Sequence, residues 1–224
     1  MAGNSILHGF VRSPDGTIQT FDAPGAAAIA GLGTIVALET GLNLEGAVTG
    51  WFYDSNTIAH GVVRAANGTI TVFDAPGAGT SSFQGTLGGS INNAGEVAGG
   101  LFDDNGVAHG FARLTDGFIE TGEVPGSGTG PGQGTFAVGI NEQGSITAYY
   151  TDFNNVTHGS VRYPDGLLRT FNVQAAGKGT GQGTTPQNID PEGAIPGYYK
   201  DSNNVNHGFL FTPQEKCGEL IWTK

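Results

Sequence analysis

The sequence has very few sulfur-containing and positively charged residues. Among 224 residues there is one cysteine, Cys217, and one methionine, so neither an internal disulfide nor a cysteine-based zinc cluster can form. Nine Lys and Arg residues against 20 Asp and Glu residues give a net charge of −11. Such a charge repels phosphate backbones and anionic membrane surfaces. We therefore expect no nucleic-acid partner.

Long apolar runs are also missing. The most apolar window, residues 26–38, is too short and too interrupted by glycine to span a bilayer. The first residues show neither the basic region nor the apolar stretch of a signal peptide. These absences predict a chain that does not insert into a membrane.

Glycine, in contrast, is abundant, with 40 residues in the chain. A helical bundle is disfavoured because each interior glycine costs about 1 kcal/mol relative to alanine in a helix. The glycines do not fall at every third position, which excludes collagen. Hydrophobic residues at 38% and aromatic residues at 9% suffice for a core. The composition predicts a turn-rich, all-β fold.

An internal repeat of 49 residues organises the sequence. All five histidines occur as His-Gly, at spacings of 52, 49, 49 and 49 residues, and an arginine follows the first four histidines at the fourth position. We divide the single repeat domain, 1–224, into a partial repeat (1–26) and repeats I to IV (about 27–78, 79–127, 128–176 and 177–224). The histidines are His8, His60, His109, His158 and His207, and the arginines are Arg12, Arg64, Arg113 and Arg162.

Other positions recur with the same period. Each repeat has a Gly-Thr pair, followed by an apolar residue and an Asn or Asp, at Asn43, Asn92, Asn141 and Asp190. Turn-forming residues divide each repeat into four short strands, predicted for example at 88–92, 96–102, 107–114 and, for the fourth, 69–73. Three tight links and one long connection favour a β-propeller of four to five four-stranded blades. A β-solenoid is the alternative.

The chain begins and ends at different positions of its repeat. It contains five predicted third strands, the first at 5–12, but only four first and second strands, and 218–224 is a degenerate fourth strand. Either five blades form and the first lacks its inner pair of strands, or one terminal hairpin completes the last blade and the other is left over; both closures expose a strand edge. We hypothesise that another copy of the chain completes the open blade and forms an oligomer or a fibre.

The repeats resemble the bacterial extracellular HAF-type repeats. The resemblance rests on Ile91-Asn92, the aspartate turns, the Pro-Asp-Gly turns and three copies of His-Gly-Phe, beginning at His8, His109 and His207, and it spans nearly the whole chain. The sequence has His-Gly-Phe where the family name records His-Ala-Phe. The resemblance implies a propeller-like fold and a location outside the cell or on its surface, and it implies no catalytic residues.

The repeated residues are interpreted as structural. Each histidine is expected to hydrogen-bond a neighbouring strand or turn, because ring geometry would hold the copies too far apart to share a metal ion. No zincin motif or nucleophile elbow is present, and no cofactor is expected. Asp103 and Asn105 come closest to a calcium loop, but an Asx turn explains them more simply.

Aromatic residues of the second strands are the predicted ligand-binding candidates. Adjacent tyrosines in a strand point to opposite faces, so one of each pair could stay exposed and stack on a sugar ring. The arginines are expected to pair with aspartates, although a ligand role at Arg64, Arg113 and Arg162 stays open. The aromatic candidates are Trp51, Tyr53, Phe102, Tyr149, Tyr150, Tyr198 and Tyr199.

The sequence thus favours a non-enzymatic extracellular protein that acts by self-assembly or recognition. A multivalent, lectin-like propeller that binds glycans is the alternative function. A propeller enzyme of the lyase or lactonase type is third, because it needs unlike residues from different blades to converge, whereas the copies here are nearly identical.

Overall fold

The computed structural model describes residues 5–37 and 40–212. Cys217 and the predicted fourth strand at 218–224 lie outside these ranges. The described part of the chain contains seventeen β-strands and no helix, which confirms the prediction of an all-β fold.

The strands are short and follow one another at turns. In chain order they are β1 (Gly9–Arg12), β2 (Ile18–Phe21), β3 (Thr34–Val36), β4 (Val48–Tyr53), β5 (Ala59–Arg64), β6 (Ile70–Phe73), β7 (Gly85–Ile91), β8 (Val97–Phe102), β9 (Ala108–Arg113), β10 (Ile119–Gly122), β11 (Gly134–Ile140), β12 (Ile146–Thr151), β13 (Thr157–Arg162), β14 (Leu168–Phe171), β15 (Gly183–Pro186), β16 (Ile195–Lys200) and β17 (Asn206–Phe211).

Each repeat folds into an antiparallel meander. Repeats I, II and III contribute β3–β6, β7–β10 and β11–β14, and repeat IV contributes β15–β17. The partial repeat forms the hairpin β1–β2. β1 starts at Gly9, four residues later than predicted, and Leu7 before it forms a separate parallel bridge to Gly33 of repeat I. The predicted four-strand plan is thus confirmed in repeats I to III, and repeat IV has three strands among the described residues.

Single parallel bridges connect successive repeats. Each bridge joins the start of a third strand to the glycine that opens the next first strand: Ala59 to Gly85, Ala108 to Gly134 and Thr157 to Gly183. The bridges merge repeats I to IV into one sheet of fifteen strands. The pairing order of the described strands runs from β17 to β3 without closing on itself.

The two faces of each meander have distinct neighbours. Because side chains alternate along a strand, the histidine and arginine of a third strand share one face, which we call the back face. The glycine after the histidine lies on the opposite, front face together with its cross-strand partner, Phe73 in repeat I. The front face of the partial repeat and of repeats I to III packs on the back face of the repeat that follows.

The hydrophobic core is divided among these inter-repeat contacts. One cluster of buried side chains lies at each of the four junctions, and the junction of repeats I and II includes Phe73, Leu101 and Phe111. The junction of repeats II and III differs, because its cluster holds only alanines and isoleucines, among them Ala112 and Ala148.

Candidate functional site

The histidines bind groups of their own repeats. Nδ1 of His60 lies 2.8 Å from a carboxylate oxygen of Asp74, at the end of β6, and Nε2 lies 3.9 Å from Asp54 in the turn before β5. In repeat III the ring bridges Asn172 at 2.8 Å and Asp152 at 3.2 Å. The Nδ1 partners of His8, His60, His109 and His158 are Asp22, Asp74, Glu123 and Asn172.

The aspartate before the third strand of repeats I to IV closes an Asx turn. Oδ1 of Asp103 accepts hydrogen bonds from the backbone N–H groups of Asn105 and Val107, both at 2.8 Å, and Oδ2 lies 3.4 Å from Nε2 of His109. Both oxygens of this calcium candidate therefore already have partners. No group of three or more His, Cys, Asp or Glu residues within 5–37 and 40–212 is arranged to hold a metal ion.

In repeats II, III and IV such hydrogen bonds lower the pKa of the aspartate carboxyl, at Asp103, Asp152 and Asp201. At Asp152 burial alone would raise the pKa, but N–H donors from Val156 and Asn154 and the ring of His158 outweigh it, so the pKa lies below the usual value. At Asp201 the N–H of Val205 is the largest cause of the lowered pKa.

Asp152→Asn is expected to reduce the acid sensitivity of the fold. Because its folded-state pKa is lowered, the Asp152 carboxylate stabilises the fold above its unfolded-state pKa of about 3.9, and this contribution is lost as pH falls through the folded-state pKa. Asparagine keeps the Oδ1 acceptor but does not titrate. In thermal melts by circular dichroism, lowering the pH to about 2 should therefore cost the variant less stability than the wild type. An equal loss in both would contradict the prediction, and Asp104→Asn controls for removal of one negative charge.

The second-strand aromatics pack inside the repeats. Tyr150 stacks on His158 with ring centroids 4.7 Å apart, and Tyr199 stacks on His207 at 4.9 Å. Tyr149, on the opposite face, stacks on Phe136 at 5.8 Å, and its pKa is raised, first by burial and then by nearby Tyr198. Adjacent tyrosines therefore do point to opposite faces.

The remaining aromatic candidates are more diverse. Tyr53 contacts the ring of Phe83 edge-on at 5.6 Å, and Phe102 lies 6.1 Å from Phe136. Trp51 is half-buried, and its Nε1 has no hydrogen-bond partner. Tyr198 is 37% exposed on the front face of repeat IV.

The arginines contact the preceding repeat. The guanidinium carbon of Arg64 lies 5.2 Å from the ring centroid of Phe21, and that of Arg113 lies 5.2 Å from that of Phe73. Arg162 instead forms an ion pair with Glu120 at 3.5 Å. Stacking on a ring of the previous repeat replaces the aspartate pairing that the sequence suggested for Arg64 and Arg113.

The Asn positions form a hydrogen-bonded ladder through the repeats. Nδ2 of Asn43 donates to the backbone oxygen of Asn92, Nδ2 of Asn92 donates to that of Asn141, and Nδ2 of Asn141 donates to that of Asp190, over 2.9 to 3.2 Å. Equivalent residues of successive repeats, 49 positions apart, are thus in direct contact. This ladder brings the ends of the first strands together.

One cavity brings unlike residues from two repeats together. It has a volume of about 240 Å³ and lies between the front face of repeat II and the back face of repeat III. Gly122, Ala112 and Ala148 form part of its wall, and Glu120 and Arg162 also line it. Sequence reasoning missed this cavity, although one signal was present: Gly122 stands where Phe21, Phe73 and Phe171 stand in the other repeats.

Comparison with known proteins assigns no family to the chain. No protein-family model and no curated protein matches it. In the described ranges no helix has the length and apolar character needed to cross a membrane.

Proposed function

We propose that this protein is a non-enzymatic repeat protein that acts by self-association. In this proposal the front face of repeat IV of one copy packs on the back face of the partial repeat of the next copy. The observation that carries the proposal is the exposure of apolar side chains on these two faces, at positions whose counterparts in the other repeats are buried or half-buried.

The back face of the partial repeat is uncovered among the described residues. Phe10 is 59% exposed, whereas Phe111, at the same position of repeat II, is 3% exposed. Ile18, its neighbour on β2, is also exposed, and no aromatic ring of the described residues stacks on Arg12 as Phe21 does on Arg64. This face therefore has the surface of an inter-repeat contact, but no repeat within 5–37 and 40–212 covers it.

The front face of repeat IV shows the complementary exposure. Leu210 is 66% exposed, whereas Val161, its equivalent in repeat III, is 1% exposed. Tyr198 and Gly208 lie beside it on the same face and are exposed as well. Repeat arrays need terminal repeats with polar outer faces to stay soluble, so an apolar end face indicates a contact with a further repeat.

The two faces differ, so the contact between copies would be heterologous. A contact of this kind builds a ring if its rotation closes and an open filament if it does not. The same front-on-back geometry already recurs at four junctions within the chain, which supports a second copy as the occupant.

We further propose a propeller-like arrangement of the meanders. Four-stranded units, a parallel bridge between the first-strand segments of repeats I and II (Thr40 to Ser90) and the Asn ladder fit blades whose first strands surround a common axis. The HAF-like motifs support a location outside the cell or on its surface. Negative-stain electron microscopy of the purified chain tests the arrangement, and stacked rungs in place of radial blades would contradict it.

Two single substitutions test the self-association. Phe10→Glu places a charge on the back face and Leu210→Glu places one on the front face, and each is expected to weaken association at least about tenfold, because burying an unpaired charge is costly. Sedimentation velocity over a concentration series measures this. Phe153→Glu, at a turn residue that is 76% exposed, is the matched control and should associate like the wild type.

Mixing the two variants tests the direction of the contact. Each variant keeps one intact face, so an equimolar mixture should form dimers and nothing larger, while each variant alone stays monomeric. A wild-type chain that is monomeric at its highest soluble concentration would overturn the proposal. Association that both substitutions leave unchanged would do the same.

The glycan-binding alternative has less support. The rings of Tyr150 and Tyr199 stack on histidines, and Tyr149 stacks on Phe136. Tyr198, the most exposed of these tyrosines, lies on the face that we assign to self-association. The absence of enzymatic activity stays a prediction.

A further inference from the structure

We propose that the cavity between repeats II and III is a binding site for a small, uncharged molecule with one aromatic ring. The ring would occupy the place that a phenylalanine side chain fills at the other junctions. This site is independent of the end faces through which the chain is proposed to associate.

The other three junctions show how such a ring is held. The rings of Phe21, Phe73 and Phe171 each lie against the glycine that follows the histidine of the same repeat, so closely that a Cβ on that glycine would fall 2.5 to 2.6 Å from a ring atom. A planar group of the next repeat covers the opposite side. Arg64 and Arg113 cover the first two rings at 5.2 Å, and the ring of Phe211 covers Phe171 at 5.1 Å.

The junction of repeats II and III keeps the glycine and the facing arginine but lacks the phenylalanine ring between them. Gly110 is present, and Arg162 is present on the facing repeat, but Gly122 replaces the phenylalanine. A Cβ built on Gly122 meets nothing within 4 Å. Ser160 stands where repeats I, II and IV have Val62, Phe111 and Phe209, which enlarges the space.

The cavity has the size and chemistry for one aromatic ring. Its volume of about 240 Å³ exceeds the roughly 150 Å³ of an apolar cavity that binds benzene. Oγ of Ser160 already donates to the backbone oxygen of Ala148, and Oγ1 of Thr135 already accepts from the N–H of Val124. The inner wall therefore favours an apolar group.

The charged residues that line the cavity define the rest of the ligand. Arg162 and Glu120 neutralise each other and are each about half exposed, and Glu123 is bound to His109. An ionic ligand would have to break one of these pairs. A short hydroxyl-bearing arm, in contrast, can accept from Arg162 or donate to Glu120, and the guanidinium can stack on the ring.

Benzyl alcohol is a suitable probe, with cyclohexylmethanol as its non-aromatic control. In ligand-observed NMR titrations, benzyl alcohol should bind with a dissociation constant of about 1 mM. Cyclohexylmethanol should bind about threefold more weakly, because it loses the stacking on Arg162. In protein-observed spectra the methyl signals of Ala112 and Ala148 should shift, and that of Ala23, at the first junction, should not.

Gly122→Phe restores the side chain found in the other repeats and should fill the site. The variant should bind benzyl alcohol at least about tenfold more weakly than the wild type, and its unfolding temperature should rise by a few degrees. Gly122→Leu provides a smaller filling if the phenylalanine variant misfolds, with weakened binding as the expected result. The matched variant Phe73→Gly should create a second site between repeats I and II.

Three results would overturn the proposal. The first is equal binding by the wild type and the filled variants. The second is a shift of methyl signals at Ala23 in place of Ala112 and Ala148. The third is an absence of benzyl alcohol binding to the wild type.

Discussion

Replacing Gly85 with alanine is expected to unfold the chain or to cost more than about 4 kcal/mol of the free energy of unfolding. Gly85 has a φ of +110°, a conformation that residues with a Cβ rarely adopt. A Cβ built there overlaps the backbone oxygen of Ala59 and lies 2.9 Å from both the carbonyl carbon and the nitrogen of that residue. Since backbone is the obstacle, no side chain can move to relieve the overlap.

The effect is large because Gly85 forms a connection between repeats. It bridges to Ala59 at the start of the third strand of repeat I, and the N–H of Ala59 donates to the oxygen of Gln84 over 2.8 Å. Next to it, Oγ1 of Thr86 accepts the buried N–H of Ala75 over 2.9 Å. Separating these strands would open the core between repeats I and II.

Substitutions at two other glycines distinguish the cost of the positive φ from the cost of the backbone overlap. Gly77 has a φ of +87° but nothing within 4 Å of a built Cβ, so Gly77→Ala should cost about 1–2 kcal/mol from the backbone conformation alone. Gly122 has neither a positive φ nor an atom within 4 Å of a built Cβ. Gly122→Ala should therefore change stability by less than about 0.5 kcal/mol. Chemical denaturation of the three variants measures the order. Equal losses for Gly85→Ala and Gly77→Ala would contradict the role of the backbone overlap.

The strands of a repeat can be predicted well from the sequence, because the residues that begin and end each strand lie next to it in the chain. The period of the His-Gly pairs and the turn-forming dipeptides locate the third and fourth strands within one or two residues, as at β9 and β6. The histidine partners could also have been found. An acid or an amide recurs fourteen positions after each of the first four histidines, and the structure places it on Nδ1.

Contacts between repeats are much harder to predict, because the repeat period does not show whether the back face of a repeat packs on the preceding or on the following repeat. Arg113 stacks on Phe73 of the preceding repeat, whereas the sequence suggested an aspartate as its partner. This contact also explains the two repeats in which an arginine does not stack on a phenylalanine. Phe211 replaces the arginine in repeat IV and stacks on Phe171, and Arg162 turns to Glu120 where the phenylalanine is replaced by Gly122.

Asn92→Asp is expected to destabilise the fold by about 3–5 kcal/mol at neutral pH, although it changes only one amide to a carboxyl group. Asn92 is 2% exposed. Its Nδ2 donates to Oε2 of Glu96 over 2.8 Å and to the backbone oxygen of Asn141 over 3.2 Å. A carboxylate would remove both donors and place a buried negative charge beside two oxygens, and no Lys or Arg of the described residues forms an ion pair there.

Repeat IV supplies the matched control for this substitution. Asp190 occupies the same position and accepts the N–H of Ala194 through Oδ1 over 2.7 Å, which asparagine can do equally well. Asp190→Asn should therefore change stability by less than about 0.5 kcal/mol. The pair of variants tests whether the amide matters only where a following repeat offers a carbonyl oxygen.

The pH dependence gives the Asn92→Asp prediction an independent readout. Burial and the neighbouring oxygens should raise the folded-state pKa of the introduced carboxyl above its unfolded value of about 3.9. The folded state then binds the proton more tightly than the unfolded state, so the loss should shrink as pH falls through the folded-state pKa. Urea denaturation at neutral and at mildly acidic pH measures this, relative to the wild type at each pH. A loss that stays constant over that range would mean that the introduced group is not a buried carboxylate, and a loss equal to that of Asp190→Asn would contradict the ladder as a connection between repeats.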